Sequence, residues 1–518
     1  TIPPARPFME TTAPPSRSGS AARPAPAAPT EVVADLRAAR SQCSSDGATA
    51  GENPWRGLFY EHLRDEGLPA LVKNDAATPA GSLWTGARRW TDSFREASLR
   101  AGDRLVVALP PSTAFVQVLI AALWEGVTVA VARPDDDIGG VCAALDARAA
   151  VAPESGPCRW TADPYAGPAS VPDALRPVET PPTPAVRFLL RTSGTTQRAR
   201  WIALSDHNVL SVLASHLPHL TLRRARVLSV LPWSHVFGLV LDLLPALLAG
   251  AEIIRDPAGG RDPKSLAALG EAWGATHLSA VPLTIRRLWA TDRGPALLRR
   301  LHGGIVGGAP VAGPLADRLS ETRLRAGYGQ TEAAPGIALG APGEWDAHYL
   351  GRPLGCQVRV AEDGELLFEG PNACVGVWRR HEGLDRRAPN RTVRTGDLVR
   401  REGDALYFDG RKDTAFKLSN GRFVRAGAWE ARLKGQFPSL HDALLFTPAG
   451  EDLSVALCVD PSASEGPSEA AIRDVLGPLG HRLAGCVRVA PGDWAQEGKG
   501  TVDRDEMTRR LRASPSSD

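Results

Sequence analysis

Between Arg191 and Trp201 the chain reads Arg-Thr-Ser-Gly-Thr-Thr-Gln-Arg-Ala-Arg-Trp, directly after the apolar run Phe188-Leu189-Leu190. Thr192, Ser193, Thr195 and Thr196 set short hydroxyls around Gly194. A strand that ends this way can turn sharply and present backbone N–H groups and hydroxyls together, which is what a polyphosphate needs: many short donors, little bulk. Arg198 and Arg200 add positive charge. No Gly-Lys-Ser/Thr closes the segment, so it is not a Walker loop. Taken alone, a Ser/Thr/Gly cluster is an ordinary turn, and its weight comes from the residues that follow. These are Pro232-Trp-Ser-His-Val-Phe-Gly238, Gly307-Gly-Ala-Pro310, Gly327-Tyr-Gly-Gln-Thr-Glu332, Thr395-Gly-Asp397, Gly410-Arg-Lys-Asp413, Lys417-Leu-Ser-Asn-Gly421 and Gly498-Lys499.

The elements that must position these groups read as α/β. Strand-like runs alternate with helical patterns: Leu105 to Pro110, Ala114 to Glu125, then Val127 to Val131. The rhythm recurs at Val227 to Leu231, Leu239 to Ala249, Ala251 to Ile254, Thr276 to Val281, Leu283 to Ala290 and Gly304 to Val306. Strands separated by helices of this length predict a mostly parallel sheet covered on both faces, with ligands at the carboxyl ends of strands, where the hydroxyl cluster sits. After Gly351 the texture turns to short alternating strands, with Gln357 to Val360 and Glu365 to Phe368 joined through Asp363-Gly364 as a hairpin. The predicted organisation is an arm over 1–30, an N-terminal domain over 31–411 with a β-rich subdomain at about 351–411, and a small α/β C-terminal domain over 412–518. The arm is rich in Pro, Ala, Ser and Arg with little apolar periodicity, and is expected to be disordered.

Composition narrows the function classes. The chain has 518 residues, 43% hydrophobic, with 60 basic against 58 acidic side chains and a formal charge of +2. That balance gives no broad electrostatic case for nucleic acid or an anionic membrane, and favours small-molecule chemistry. Seven scattered cysteines without short paired spacing argue against a zinc site or a disulfide framework and fit a cytoplasmic setting. The longest apolar stretch, Val236 to Ala251, is interrupted by Gly238, Asp242, Pro245 and Gly250, too short and broken to span a bilayer.

In this order and spacing, across about Phe188 to Arg504, the motifs resemble the acyl-adenylate-forming (AMP-binding) superfamily: acyl- and aryl-CoA synthetases, luciferases and peptide-synthetase adenylation domains. The resemblance implies ATP, Mg²⁺ and a carboxylic acid as substrates and cofactor, and a small C-terminal domain that moves. It also implies roles. Thr192, Ser193, Gly194, Thr195, Thr196 and Arg200 would hold the β- and γ-phosphates; Thr331 would hydrogen-bond the α-phosphate; Glu332 would hold Mg²⁺. Gly308, Ala309, Pro310, Tyr328 and Gly329 would line the adenine, Tyr328 by stacking, while Asp397 and Arg411 would take the ribose. Lys499 would bridge carboxylate and α-phosphate, Asp413 would be the hinge, and His235 would gate the acid pocket. That pocket would be drawn from Trp233, His235, Val236, Phe237, Val306, Gly307 and the stretch Ala333 to Gly336.

No Phe-Asp pair stands at Trp233 to Gly238 to hold an α-ammonium group, which favours a non-amino acid, aryl or alkyl. Two departures stand out: Gln197 and Arg200 occupy positions where the family carries Gly and Lys, and Arg425-Ala-Gly-Ala replaces a proline-containing stretch before Glu430. The implied reaction is ATP-dependent acyl-adenylate formation with loss of pyrophosphate, then transfer to CoA. An amine or carrier-protein thiol is the alternative acceptor, and a non-catalytic nucleotide-binding relative is a third reading.

Overall fold

The computed structural model describes residues 29–43, 53–63, 69–73, 76–153, 159–163, 167–170, 175–178, 180, 183, 185–192, 200–311, 313–380, 382–388, 392–418, 423–437, 439–447, 452–459, 466–495 and 502–513. The predicted arm lies outside these residues except for its last two, which open a helix, Pro29–Ser41.

Two sheets carry the predicted βαβ rhythm. In the nine-stranded sheet, Ala149–Ala152, Arg104–Val107, Thr128–Val131 and Phe188–Arg191 run parallel side by side, and Trp201–Leu204 then pairs antiparallel with the last of them. These strands are short, apolar and almost wholly buried, as expected where helices cover both faces. Helix Thr113–Glu125 is apolar nearly all round and buried along almost its whole length. Ser112 Oγ caps its start by accepting from Phe115 N, and Gly126 ends it at φ +75°. A second, five-stranded sheet sets His277–Ser279, Arg226–Ser229, Glu252–Arg255 and Pro69–Lys73 parallel to one another. The helix Asp206–Leu220 opens on a reciprocal Ser205–Asn208 capping box and is anchored by a buried two-pronged ion pair, Arg187 to Asp206, both contacts 2.8 Å.

The predicted helix Leu239 to Ala249 is not uniform. It runs as Val236–Gly238, a π turn at Leu239–Leu243, and Leu244–Leu248. Pro245 has no N–H to offer the carbonyl four residues back, and a widened turn accommodates that loss.

The strands after Gly351 do not stand apart. Four of them join Ile305–Gly307, Arg325–Gly329, Gly336–Leu339 and Tyr349–Pro353 in one eight-stranded sheet, while Gly376–Arg379 and Gly383–Arg386 extend the nine-stranded one. The predicted hairpin is present, Gln357 pairing with Glu369 and Val360 with Leu366. Beyond Lys417, Leu418, Val424, Leu433, Leu445, Val455 and Ile472 belong to a core whose buried members all fall between Leu418 and Leu483. Among the described residues no helix is long and apolar enough to cross a membrane.

Candidate active site

Residues from three strands meet at Asp397. This residue lies on Val393–Glu402, directly opposite Arg411 on the neighbouring strand Ala405–Arg411. Arg411 Nη1 donates to Asp397 Oδ1 at 2.8 Å, and Tyr328, from the strand Arg325–Gly329, donates its hydroxyl to Oδ2 at 2.6 Å. The Asp397 N–H is itself held by Thr395 Oγ1 at 3.0 Å. Burial pushes the Asp397 carboxyl above its ordinary value, against the pull of Arg411 and Tyr328. Burial, reinforced by the charge of Asp397, also holds the Tyr328 phenol well above its usual range, so it stays a donor. The other arm of Arg411 reaches Asp413, with contacts of 3.2 and 3.1 Å. One guanidinium thus bridges the expected ribose carboxylate and the expected hinge residue.

The hydroxyl-rich segment is described only at its two ends, since Ser193, Gly194, Thr195, Thr196 and Gln197 lie outside the described residues. Its base is closed by Thr192 N donating to the Arg200 carbonyl at 2.9 Å and Arg200 N to Thr192 Oγ1 at 3.1 Å. Arg200 Nη2 then reaches Glu332 Oε1 at 3.2 Å, joining two motifs 132 residues apart. Arg200 is 62% exposed, so this pair adds little stability; Glu332 is only 13% exposed.

Thr331 and Glu332 sit on a single helical turn, Thr331–Ala333, held by Ala334 at φ +57°, a cis Ala334–Pro335 bond, and Gln330 N donating to the Pro335 carbonyl at 3.1 Å. Such a return requires glycine at 329, where a Cβ would lie 1.5 Å from the Pro335 oxygen. Gly307 meets the same demand, a Cβ there falling 2.4 Å from the Gly327 oxygen. Gly308, Ala309 and Pro310 follow that strand as an exposed segment.

On the acid side, His235 is half-buried and begins the helical segment, with Val236 buried and Phe237 half-buried behind it. Val306, Gly307, Ala333 and Gly336 are buried. Trp233 is not at a surface: it is fully buried, its ring 5.4 Å from Phe115 with the Arg255 guanidinium 5.5 Å above it, so it backs the region instead of facing it. Lys499 lies outside the described residues.

Several residues that support this arrangement carry no motif. His216 is buried against Gly336, where a Cβ would come within 2.3 Å of its ring, and burial lowers it to about 4, so it packs as neutral imidazole. Asn372 Nδ2 donates to the Gly336 carbonyl at 2.6 Å. Behind Trp233, Ser229 Oγ gathers Trp233 Nε1 (3.3 Å), Arg255 Nη1 (3.2 Å) and Asp242 Oδ2 (2.6 Å). A polar residue within an apolar run was the only sequence signal for Asp242.

Residues 64–378 match the family described as AMP-binding enzyme. Among curated relatives, a feruloyl-CoA synthase from Amycolatopsis sp is 30% identical over 269 residues, covering 48% of this chain and 54% of that protein. The phenyloxazoline synthase MbtB of Mycobacterium tuberculosis (strain ATCC 25618 / H37Rv) is 27% identical over 498 residues, 87% of this chain and 34% of that protein. The chain thus spans about half the length, or less, of these relatives. Of solved structures, ATP-bound MatB from Rhodopseudomonas palustris superposes with a TM-score of 0.75 at 20% identity, covering 89% of this chain and 98% of that one. The anthranilate CoA ligase AuaEII with anthranoyl-AMP gives 0.71 at 15% identity, over 88% and 96%. These last two likenesses establish the fold.

Proposed function

Because the chain belongs to the AMP-binding enzyme family, we propose that it activates a non-amino carboxylic acid with ATP and passes the acyl group to CoA. The observation that carries this is the Tyr328–Asp397–Arg411 cluster, four residues along the chain from the Glu332 that Arg200 holds beside the base of the hydroxyl-rich segment. A carboxylate offers about four acceptor sites; Tyr328 and Arg411 occupy one on each oxygen of Asp397, which leaves two for a vicinal pair of ribose hydroxyls. Exposed Gly308, Ala309 and Pro310 would give the adenine a low, backbone-rich wall, and Gly329 lets the chain turn tightly after Tyr328.

In the first half-reaction a carboxylate oxygen of the acid attacks the α-phosphorus, the bond to the β-phosphate oxygen breaks, and pyrophosphate leaves. Little covalent work falls to the protein; it must orient two anions in line and meet the charge that develops. Thr192, Ser193, Thr195, Thr196 and Arg200 would hold the departing phosphates, Thr331 the α-phosphate, and Lys499 would span acid and phosphate. Among the described residues no group of three or more His, Cys, Asp or Glu side chains gathers as a metal cage. A single partly buried carboxylate beside a phosphate site nonetheless suits Mg²⁺, which is commonly bound through one or two carboxylates plus substrate phosphates. Glu332 would hold it, and the ion would offset phosphate charge. In the second half-reaction the thiol loses its proton, sulfur attacks the acyl carbon, a thioester forms and AMP leaves. The reading includes an N-terminal domain over 31–411 and a C-terminal domain over 412–518 turning at Asp413, so that one site serves both steps. The separate core after Leu418 supports that division.

CoA is preferred as acceptor because a feruloyl-CoA synthase matches this chain at 30% identity. The match to a phenyloxazoline synthase over most of this chain supports a carrier-protein thiol as the second reading. Pyrophosphate release with Mg-ATP and a panel of aryl, short-chain and long-chain acids, with and without CoA, tests both. Multiple turnovers that require CoA support the first reading. Release independent of CoA turns to a carrier protein or an amine, and silence across the panel overturns acid activation.

A further inference from the structure

Between the strands Glu365–Glu369 and Val393–Glu402 the ladder is interrupted where Asp397 sits. Leu367 pairs with Arg394 and Glu365 with Leu398, so Leu366 alone faces Thr395, Gly396 and Asp397. Residues in excess on one strand form a bulge, and their backbone groups lose the partners that a regular ladder would give them. Here other groups take them up. Thr395 Oγ1 donates to the Leu366 carbonyl at 2.8 Å and accepts from Asp397 N at 3.0 Å. The Gly396 carbonyl accepts from Lys412 N at 2.7 Å, and Gly396 N donates to Glu365 Oε1 at 3.0 Å.

Among these groups Glu365 is the one charged side chain. It is 3% exposed, and its second oxygen accepts from Lys412 Nζ at 2.8 Å and from Arg394 Nε at 2.9 Å, with Arg394 Nη2 also in contact. The hairpin turn before it sets its place: Asp363 Oδ1 accepts from Glu365 N at 3.2 Å, while Asp363 Oδ2 accepts from Lys412 Nζ at 2.6 Å and Arg394 Nη2 at 3.3 Å. Burial opposes the charge of Glu365, but hydrogen bonds from Lys412, Arg394 and Gly396 hold its carboxyl below the ordinary value, so it stays an acceptor.

A buried ion cluster is a poor stabiliser of a fold, because desolvation offsets most of the attraction between its charges. What this one holds is the amide of the residue before Asp397. Tyr328 and Arg411 meet the Asp397 oxygens at the far end of its side chain; the bulge decides where the backbone beneath that side chain stands. A carboxylate that must meet two sugar hydroxyls has to be placed within roughly 0.5 Å, which side-chain contacts alone secure less well than a fixed backbone.

We propose that Glu365 is a positioning residue for the nucleotide site: by accepting from Gly396 N it fixes the bulge that aims Asp397 at the ribose, while Lys412 and Arg394 keep its carboxylate charged and in place. The inference rests on the ribose assignment above. Its test is calorimetric titration of AMP and 2′-deoxy-AMP into the intact chain as wild type, Glu365→Asp and Glu365→Gln, with Tm recorded for each. Aspartate keeps the charge, and the long side chains of Lys412 and Arg394 can follow it, but with one methylene less it no longer reaches Gly396 N. Glutamine keeps that reach, its oxygen accepting from Gly396 N, and gives up the charge.

The wild type is expected to bind AMP about tenfold more tightly than the deoxynucleotide. Glu365→Asp should bring that ratio to within about threefold, by weakening AMP while the deoxynucleotide binds nearly as before. Glu365→Gln should lower Tm by several degrees, since two cations lose a buried partner, yet keep the ratio above about fivefold. A purely structural role would move the ratio and Tm together. A ratio that survives in Glu365→Asp, or one that collapses in Glu365→Gln as well, overturns the inference and leaves the ribose assignment standing; should one variant fail to fold, the other decides. A wild type that binds both nucleotides equally, or neither, overturns the ribose assignment and this inference with it.

Discussion

Asp397→Asn is the sharpest probe of the nucleotide site. The buried carboxylate accepts from Tyr328 at 2.6 Å and from Arg411 at 2.8 Å, one contact on each oxygen, and its two remaining acceptor sites are those assigned to the ribose hydroxyls. Asparagine keeps the shape but has one acceptor oxygen, and its NH₂ would face donors only. At least one charge-assisted hydrogen bond to the sugar is lost, worth ~1.5–3 kcal/mol, or about 10- to 150-fold in Kd. Calorimetric titration of AMP reads this without turnover, and 2′-deoxy-AMP supplies the second edge of a cycle. The wild type should bind the deoxynucleotide about tenfold more weakly, and the variant should show a penalty within about twofold, because the partner of that hydroxyl has gone. A folded Asp397→Asn protein that binds AMP within threefold of wild type, or that keeps the full 2′-deoxy penalty, would refute the ribose assignment.

Other outcomes follow from single contacts. Lys499→Ala should cut adenylate formation to below about a tenth of wild type, a loss above ~1.4 kcal/mol, with the Kd for ATP nearly unchanged; a variant that retains more removes Lys499 from the proposed bridge. Arg200→Ala should raise the KM for ATP several-fold yet move Tm by less than about 2 °C, since an exposed pair to Glu332 contributes under ~1 kcal/mol; a large drop in Tm would mean that the pair is structural. Gly329→Ala should cost more than ~3 kcal/mol in denaturant unfolding, because its Cβ would lie 1.5 Å from the Pro335 oxygen; a near-neutral effect would contradict the tight return. Two buried groups should give opposite pH slopes. Asp242, raised to about 6, binds its proton more tightly folded than unfolded, so its contribution falls as pH rises from 3.8 to about 6, and Asp242→Asn should remove a slope of about 3 kcal/mol. His216, lowered to about 4, stays neutral while the unfolded chain takes up a proton, so stability is lost as pH falls from 6.5 towards 4; urea midpoints across that range for His216→Gln should be flatter than wild type.

The alternation of elements was legible because these strands are buried on both faces and the helices between them repeat at a different period. Thr113–Glu125 and Thr128–Val131 lie within a residue of the expected spans, while Arg104–Val107 starts one residue before its expected span and ends three residues short of it. The π turn was not foreseen, although Pro245 inside a helical pattern marked the place. The strands after Gly351 were recognisable as strands, but not as partners of those at Ile305–Gly307 and Arg325–Gly329, because sheet pairing over that distance follows from tertiary packing and leaves no local pattern.

The same division runs through the site. Residue types that act over a few positions announce themselves: hydroxyls around Gly194, a carboxylate after Thr331, another after Gly396. Pairings over distance do not. Tyr328 reads as an aromatic face for a base, yet its hydroxyl is committed to a carboxylate 69 residues away. Trp233 reads as a pocket wall, and it is a buried support whose indole N–H helps to hold Ser229. Asp242 reads as an interruption in an apolar run. Its consequence depends on Ser229, 13 residues earlier, and Arg255, 13 later, converging on one buried spot while one oxygen is left over. Composition records that a charge is present, but whether its last lone pair is satisfied is a property of packing.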